Sequence, residues 1–231
     1  SERPSDKIGK TVAKILYGEI SPYSATRLER FAACAFAHFL QYGLKVTERA
    51  EYEFRAMDMG NVMHMALEKF AAEVRKEGLD WAELTEEERN RIIDSCLDQV
   101  SADYGNTILK SSARNEYMIE RTRRILRRTV WALQEQLKHG AFRPEGFEVR
   151  FQGGRIDRVD IMEEPENNRV YVKVIDYKTG NTSFDLLALY HGLQLQLMVY
   201  LDGALQVEKR KYPDREIVPA GVFYYNVKDP M

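Results

Sequence analysis

The amino-acid sequence predicts a mixed α/β fold with the core order α-β-β-β-α-β and a large helical insertion toward the N-terminus. Three observations carry this. Apolar residues recur at helical intervals through the first two thirds, the pattern changes to alternation at Phe147, and a helical stretch from Leu186 to Leu205 separates the third strand from the last. With 231 residues and 44% hydrophobic content, one core and a helical annex are within reach, but two large domains are not. The expected organisation is one domain over 1–231, mainly helical from 21 to 145 and a mixed-sheet core from 146 to 231.

The first expected helix runs from Ser24 through Leu28, Phe31, Phe36, Phe39 and Leu40 to Gly43, its aromatics suggesting a buried helical hairpin. A second opens at Asp58, passes Val62, Met63, Leu67, Phe70 and Val74, and stops at Gly78, with His64 as its polar passenger. A third begins near Thr85, where Glu86, Glu87 and Glu88 suit the positive end of the helix dipole. The fourth spans about Asn115 to His139, before Gly140 and Pro144 end the helical region.

Phe147, Val149 and Phe151 then alternate on what reads as one face, and Ile156 and Val159 continue before a polar turn from Glu163 to Asn168. Val170 to Tyr177 is rich in β-branched and aromatic residues and reads as a central strand, broken by Thr179-Gly180-Asn181. Ile217 to Val227 returns to strand composition.

The formal charge of −2, from 34 basic and 36 acidic residues, excludes a bulk field for nucleic acid or anionic membrane; any such contact needs a local patch. Two distant cysteines, Cys34 and Cys96, form no disulfide framework and point to a reducing, cytoplasmic setting. The opening Ser-Glu-Arg-Pro-Ser-Asp-Lys has no apolar signal core, no run is long and apolar enough to span a membrane, and both ends read as those of a piece of something longer.

Asp176 and Lys178 are two apart on a strand, so a carboxylate and an ammonium leave the same face while Ile175 and Tyr177 leave the other. Cleaving a phosphodiester with a hard cation needs more than one carboxylate, and Asp157, in Gly154-Arg155-Ile156-Asp157, is the second on a neighbouring strand. Asp160 is odd-spaced from it and should face the other way. An Asp-x-Lys triplet alone is usually a surface ion pair; what changes that reading is the order of His64, Asp157, Asp176-Tyr177-Lys178, then Gln196 and Tyr200 sharing a helical face.

That succession resembles the RecB-like branch of the PD-(D/E)xK nucleases in Gly60-x-x-x-His64, Gly154-Arg-Ile-Asp157, Ile175-Asp-Tyr-Lys178 and Gln196-x-x-x-Tyr200. It is similar in particular to the nuclease domains of AddB-type subunits of bacterial helicase-nucleases. Ser24-x-x-x-Leu28-Glu29-Arg30-Phe31-x-x-Cys34-x-Phe36 and Tyr42-Gly43-Leu44 extend that likeness over most of the chain, although Ala35 stands where the family usually has proline. The resemblance implies a restriction-endonuclease-like core acting on DNA with Mg2+ or Mn2+. His64, Asp157 and Asp176, with the Tyr177 carbonyl, become metal ligands, Lys178 the catalytic lysine, and Gln196 and Tyr200 either supports for the site or contacts to DNA. It also implies a helicase partner subunit, and a [4Fe-4S] cluster in the parent protein to which Cys34 contributes one of four thiolates. The other three would lie downstream of the nuclease core, so the chain itself is expected to be cluster-free.

Arg121, Arg124 and Arg128 share a face of the fourth helix and are candidates for DNA-backbone contact, though such a run is often only a solvated face. Trp81, Trp131 and Cys96 read as packing residues, and His38, His139 and His191 as structural histidines. The alternatives left open are an inactive nuclease-fold scaffold or DNA-binding module and a free-standing Cas4-like exonuclease.

Overall fold

The computed structural model describes residues 9–18, 24–47, 56–105 and 113–227, so the terminal segments 1–8 and 228–231 lie outside the described residues. Three short helical pieces come first: α1 (Lys10–Tyr17), α2 (Ala25–Ala33) and α3 (Ala35–His38), the last running into a π-helical turn at Phe39–Gly43. Three long helices follow, α4 (Ala56–Lys76), α5 (Glu86–Gly105) and α6 (Ala113–Lys138). Thr85 starts α5 with a capping box: its hydroxyl accepts from the Glu88 N–H, and the Glu88 carboxylate accepts from the Thr85 N–H and hydroxyl.

The remainder is β1 (Arg143–Phe151), β2 (Gly154–Glu164), β3 (Arg169–Lys178), α7 (Leu186–Tyr190), α8 (Gln196–Lys211) and β4 (Glu216–Asn226). Among the described residues these strands form one mixed sheet, β1-β2-β3-β4, in which β3 pairs antiparallel with β2 and parallel with β4. The expected strand-strand-strand-helix-strand order is therefore present.

Alternation along β3 assigns its two faces. Val170, Val172 and Val174 pack with Val159, Ile161 and Ala204 of α8 in one apolar layer. Ile175 and Tyr177 join α4, α5 and α6 in the other, around Leu67, Phe70, Leu97, Leu126 and Leu133. Gly203 lets α8 come close: a Cβ there would lie 2.4 Å from the Phe151 ring.

Several expectations are corrected. The segment from Ser24 to Gly43 is not a buried hairpin; Phe31 and Phe36 are 57% and 66% exposed, and of α2 and α3 only Ala25 is buried. The helix expected from Leu186 to Leu205 is broken into α7 and α8, because Gly192 takes φ +73° between them. Phe147 does not share a face with Val149 and Phe151, since the intervening Glu148 has φ 50°; Phe147 packs beside Trp81, the other two toward α8. Trp131 is 42% exposed rather than core, whereas Trp81 and Cys96 are buried as expected. Helix α4 starts at Ala56, ahead of the expected Asp58.

Candidate active site

Side chains from six elements, α4, β1, β2, β3, α8 and β4, meet at one end of the sheet. On β1 and β2, the pairs Phe147↔Arg158 and Val149↔Ile156 set Glu148 opposite Asp157, and continuing the β2–β3 register past Arg158↔Ile175 brings Asp157 opposite Asp176. Three neighbouring strands thus present a row of carboxylates. The Asp157 Oδ2 is fixed by the Tyr177 N–H at 2.7 Å. From α4, His64 Nδ1 approaches Asp157 Oδ1 at 3.4 Å and Glu148 Oε1 at 3.6 Å.

His64, Glu148 and Asp157 each offer one ligand atom, all within 4.8 Å of one another. Asp176 lies outside that trio and leans toward Lys178, whose Nζ is 2.7 Å from its Oδ2. Lys178 also donates to Gln196 Oε1 at 2.7 Å, and Gln196 Nε2 donates to the Tyr200 hydroxyl at 3.0 Å, so the two helical residues expected beside the site hold the lysine from one side. The Tyr224 ring lies 5.5 Å beneath the same ammonium. Tyr177 contributes backbone, its side chain being buried against His64 and Tyr225.

The electrostatics report the same convergence. Burial raises the Asp176 carboxyl to about 6, helped by the charge of Asp157 and only partly offset by Lys178. Burial opposes charge on His64, but the carboxylates of Asp157 and Glu148 outweigh it and raise the imidazole to about 10. The Tyr200 hydroxyl is raised by burial, against the Gln196 hydrogen bond, with Asp176, Asp157 and Glu148 all adding to the rise.

A hard divalent cation suits this donor set. The Asp176 Oδ2 and Glu148 Oε2 atoms are buried and face the Lys178 and Arg155 cations, positions a metal could share or take over. Carboxylates grouped with one imidazole form a donor set for a divalent cation. Without metal, the His64 imidazolium is the local counter-charge, and its titration gives a prediction. A base whose folded pKa is raised contributes stability that is fully present below its unfolded value of 6.5 and is lost as pH climbs through about 10. Asp176 has the opposite effect: its ionisation costs stability above about 6, a cost absent below 3.8. The metal-free unfolding temperature should therefore fall from pH 6.5 to 9.5, while the rise produced by added Mn2+ should grow over that interval as His64 sheds its proton. Thermal scans with and without Mn2+ check this; a metal increment that shrinks with pH would contradict it.

Three residues of the site are not apparent in the sequence: Glu148, Glu29 and Tyr224, the last lying in a segment that reads only as strand composition. Glu148 occupies an ordinary polar position between Phe147 and Val149, so the sequence carries no signal that sets it apart; only its positive φ brings it to the site. Glu29 lies in the motif around Leu28 but has no chemistry of its own in sequence. In the fold its Oε1 accepts from the Leu195 N–H at 2.7 Å and the Gln196 N–H at 3.0 Å, capping the first turn of α8 and fixing Gln196 under Lys178. Glu29→Ala should cost about 1 kcal/mol of stability, as lost caps do, and lower cleavage about tenfold; Glu29→Gln, which keeps an acceptor, should do less of both. Denaturant unfolding and turnover measured side by side decide it, and full activity in Glu29→Ala would remove Glu29 from the supporting set.

Of the basic helical candidates, Arg124 and Arg128 are exposed and Arg121 half-buried on α6, and none is among the residues that meet at the carboxylate row. Cys34 is exposed on the α2–α3 junction, where its sulfur accepts from the Ala37 N–H.

Comparison with known proteins identifies the family. The family model of the PD-(D/E)XK nuclease superfamily matches residues 22–231. Curated relatives named as B-type subunits of an ATP-dependent helicase/deoxyribonuclease include one from Lachnoclostridium phytofermentans, 49% identical over 230 residues, covering 96% of this chain and 20% of the relative. Those from Alkaliphilus metalliredigens and Clostridium acetobutylicum are 39% and 33% identical, covering 97% and 98% of this chain and 21% of each relative. The chain thus spans about a fifth of the length of the curated relatives it matches.

Proposed function

From the premise that this chain belongs to the PD-(D/E)XK nuclease superfamily, we propose that residues 1–231 form one metal-dependent deoxyribonuclease domain of a bacterial helicase-nuclease acting in double-strand break repair. The observation that carries this reading is the convergence of His64, Glu148 and Asp157 beside the Asp176–Lys178 pair at the end of a mixed sheet. A scaffold that had lost its chemistry would not need a complete set of buried carboxylates that destabilise one another.

His64, Asp157 and Asp176, with Glu148 beside them and the Tyr177 carbonyl as a further donor, would hold Mg2+ or Mn2+. Such a cation supplies charge neutralisation at the scissile phosphate and a water acidic enough to attack near neutral pH. Lys178 faces the same volume from the strand and is steered by Gln196, Asp176 and the Tyr224 ring. From there its ammonium can orient the attacking water or stabilise charge building on the phosphoryl oxygens. Tyr200 anchors Gln196 and thereby the lysine.

The relatives' name, which joins a helicase to a deoxyribonuclease, supports DNA as the substrate and a helicase as partner. Exonucleolytic removal of a strand delivered by that motor is the mode we propose, in the cytoplasm; among the described residues no helix is long and apolar enough to cross a membrane. The test is cleavage of labelled single-stranded DNA with Mg2+, with Mn2+ and with chelator. Metal-dependent shortening from an end is expected, and cleavage indifferent to chelator would refute the reading.

An iron-sulfur cluster does not fit the thiols of this chain. Cys34 is exposed, and Cys96 is 1% exposed within the helical core, where burial raises its thiol to about 11. Cys34 remains the proposed ligand within a longer parent. Iron and acid-labile sulfide assays on the purified chain should both read zero, and stoichiometric iron with sulfide would overturn this assignment.

A further inference from the structure

The outer face of α6 has no part in the carboxylate site, yet its composition is unusual for a solvated helix. Arg114, Tyr117, Arg121, Arg124, Arg128 and Trp131 follow one another at spacings of three and four, so they form one stripe along the helix. Tyr117 is 59% exposed and Trp131 42% exposed, and Arg114, Arg124 and Arg128 are exposed as well. The stripe covers roughly 26 Å of axis at the rise of an α-helix.

A neighbouring pair of arginines on the same helix shows what ordinary structural use looks like. Arg123 bonds Asp98 at 2.7 Å and Glu120 at 3.2 Å, and Arg127 pairs with Asp94, tying α6 to α5. Among the described residues Arg114, Arg124 and Arg128 form no ion pair, and the Arg128 guanidinium lies 5.7 Å over the Trp131 ring. The opposite face of α6, with Ile125, Leu126, Val130 and Leu133, is fully used by the core. Positive charge and aromatic rings are therefore collected on a face of α6 where Arg114, Tyr117, Arg124, Arg128 and Trp131 are exposed.

Resting on the reading of this chain as a DNA-acting domain, we propose that the Arg114–Trp131 stripe of α6 is a binding track for single-stranded nucleic acid, arginines meeting phosphates and Tyr117 and Trp131 stacking on bases. Guanidinium groups match phosphate geometry, and exposed rings at intervals along a cationic surface are the platform that unpaired bases use. The charge of the stripe is of one sign, four arginines with no acidic side chain among its six residues, which favours a polyanion as the occupant.

The test is binding of fluorescein-labelled dT20 to the 231-residue chain in EDTA, where no metal-dependent cutting intrudes. The combined variant Arg114→Gln/Arg124→Gln/Arg128→Gln should bind at least about tenfold more weakly, and its slope of log affinity against log salt should be shallower by about 2, near 0.7 for each phosphate no longer neutralised. Trp131→Ala should weaken binding about fivefold or more, the loss of one stacked base. The chain has two tryptophans, of which Trp81 is 7% exposed, so quenching of tryptophan emission by dT20 should disappear in Trp131→Ala. Unchanged affinity and salt slope in a triple variant with normal thermal unfolding would overturn the proposal and leave the face to a protein partner. Should the triple variant unfold, Arg124→Gln alone is read by the same criterion, with a slope shallower by about 0.7. A chain that binds through the stripe but never cuts DNA would refute the nuclease reading alone; one that cuts DNA but ignores the stripe substitutions would refute the track alone.

Discussion

Asp176→Asn is expected to lower metal-dependent DNA cleavage by about a thousandfold or more while leaving the metal-free protein as stable as before, or more so. The activity loss follows from removing a carboxylate that a hard cation and Lys178 both require, and losing one preorganised electrostatic partner typically costs two to three orders of magnitude. The stability effect follows from the sign of the pKa shift. Burial and the neighbouring Asp157 raise the Asp176 carboxyl to about 6, so its ionised form is a net cost to the fold above that pH, and an uncharged amide avoids it. Thermal unfolding in EDTA, read beside turnover with Mg2+, separates a functional carboxylate from a structural one. A variant that is both inactive and markedly less stable would mean that Asp176 supports the fold. Lys178→Ala should match the activity loss.

Arg158→Ala is expected to give the largest stability loss of any single substitution at the back of the site, about 3–5 kcal/mol. Arg158 is 1% exposed and donates to Asp160, itself 0% exposed, through Nη2 at 2.9 Å, while its guanidinium lies 5.7 Å from the Trp81 ring and 5.6 Å from Phe147. Removing it leaves Asp160 buried with Lys173, 3.0 Å away, as its remaining cation, and opens a void between two aromatic rings. The damage should reach catalysis indirectly, because Arg158 sits between Asp157 and the Ile175 pairing that fixes Asp157 against Asp176. Chemical denaturation measures it; a loss below about 1 kcal/mol would show that the buried pair roughly breaks even with its own desolvation.

The strand order and the facing of Asp157, Asp176 and Lys178 are legible in the sequence, because a period of two on a buried strand leaves little freedom once one face is committed to Val170, Val172 and Val174. Asp160 turns the other way for the same reason. Gln196 and Tyr200 are legible through helical spacing. Glu148 is not, because it joins the carboxylate row only through a positive φ that breaks the strand's alternation. Glu29 is illegible in another way: it caps a helix 166 positions further along the chain, and no local pattern announces such a contact. The exposure of Phe31, Phe36 and Trp131 misleads an apolar count, which registers that a residue is hydrophobic but not whether anything covers it.

One cation held by one group of side chains is the centre of the proposed chemistry. A crystal of the chain soaked in Mn2+ and measured for anomalous scattering tests that directly. A single strong peak within bonding distance of His64 and Asp157, and reached by Asp176 once Lys178 yields its Oδ2, is the predicted result. A peak elsewhere, or Mn2+ bound just as well after Asp157→Ala, would contradict it.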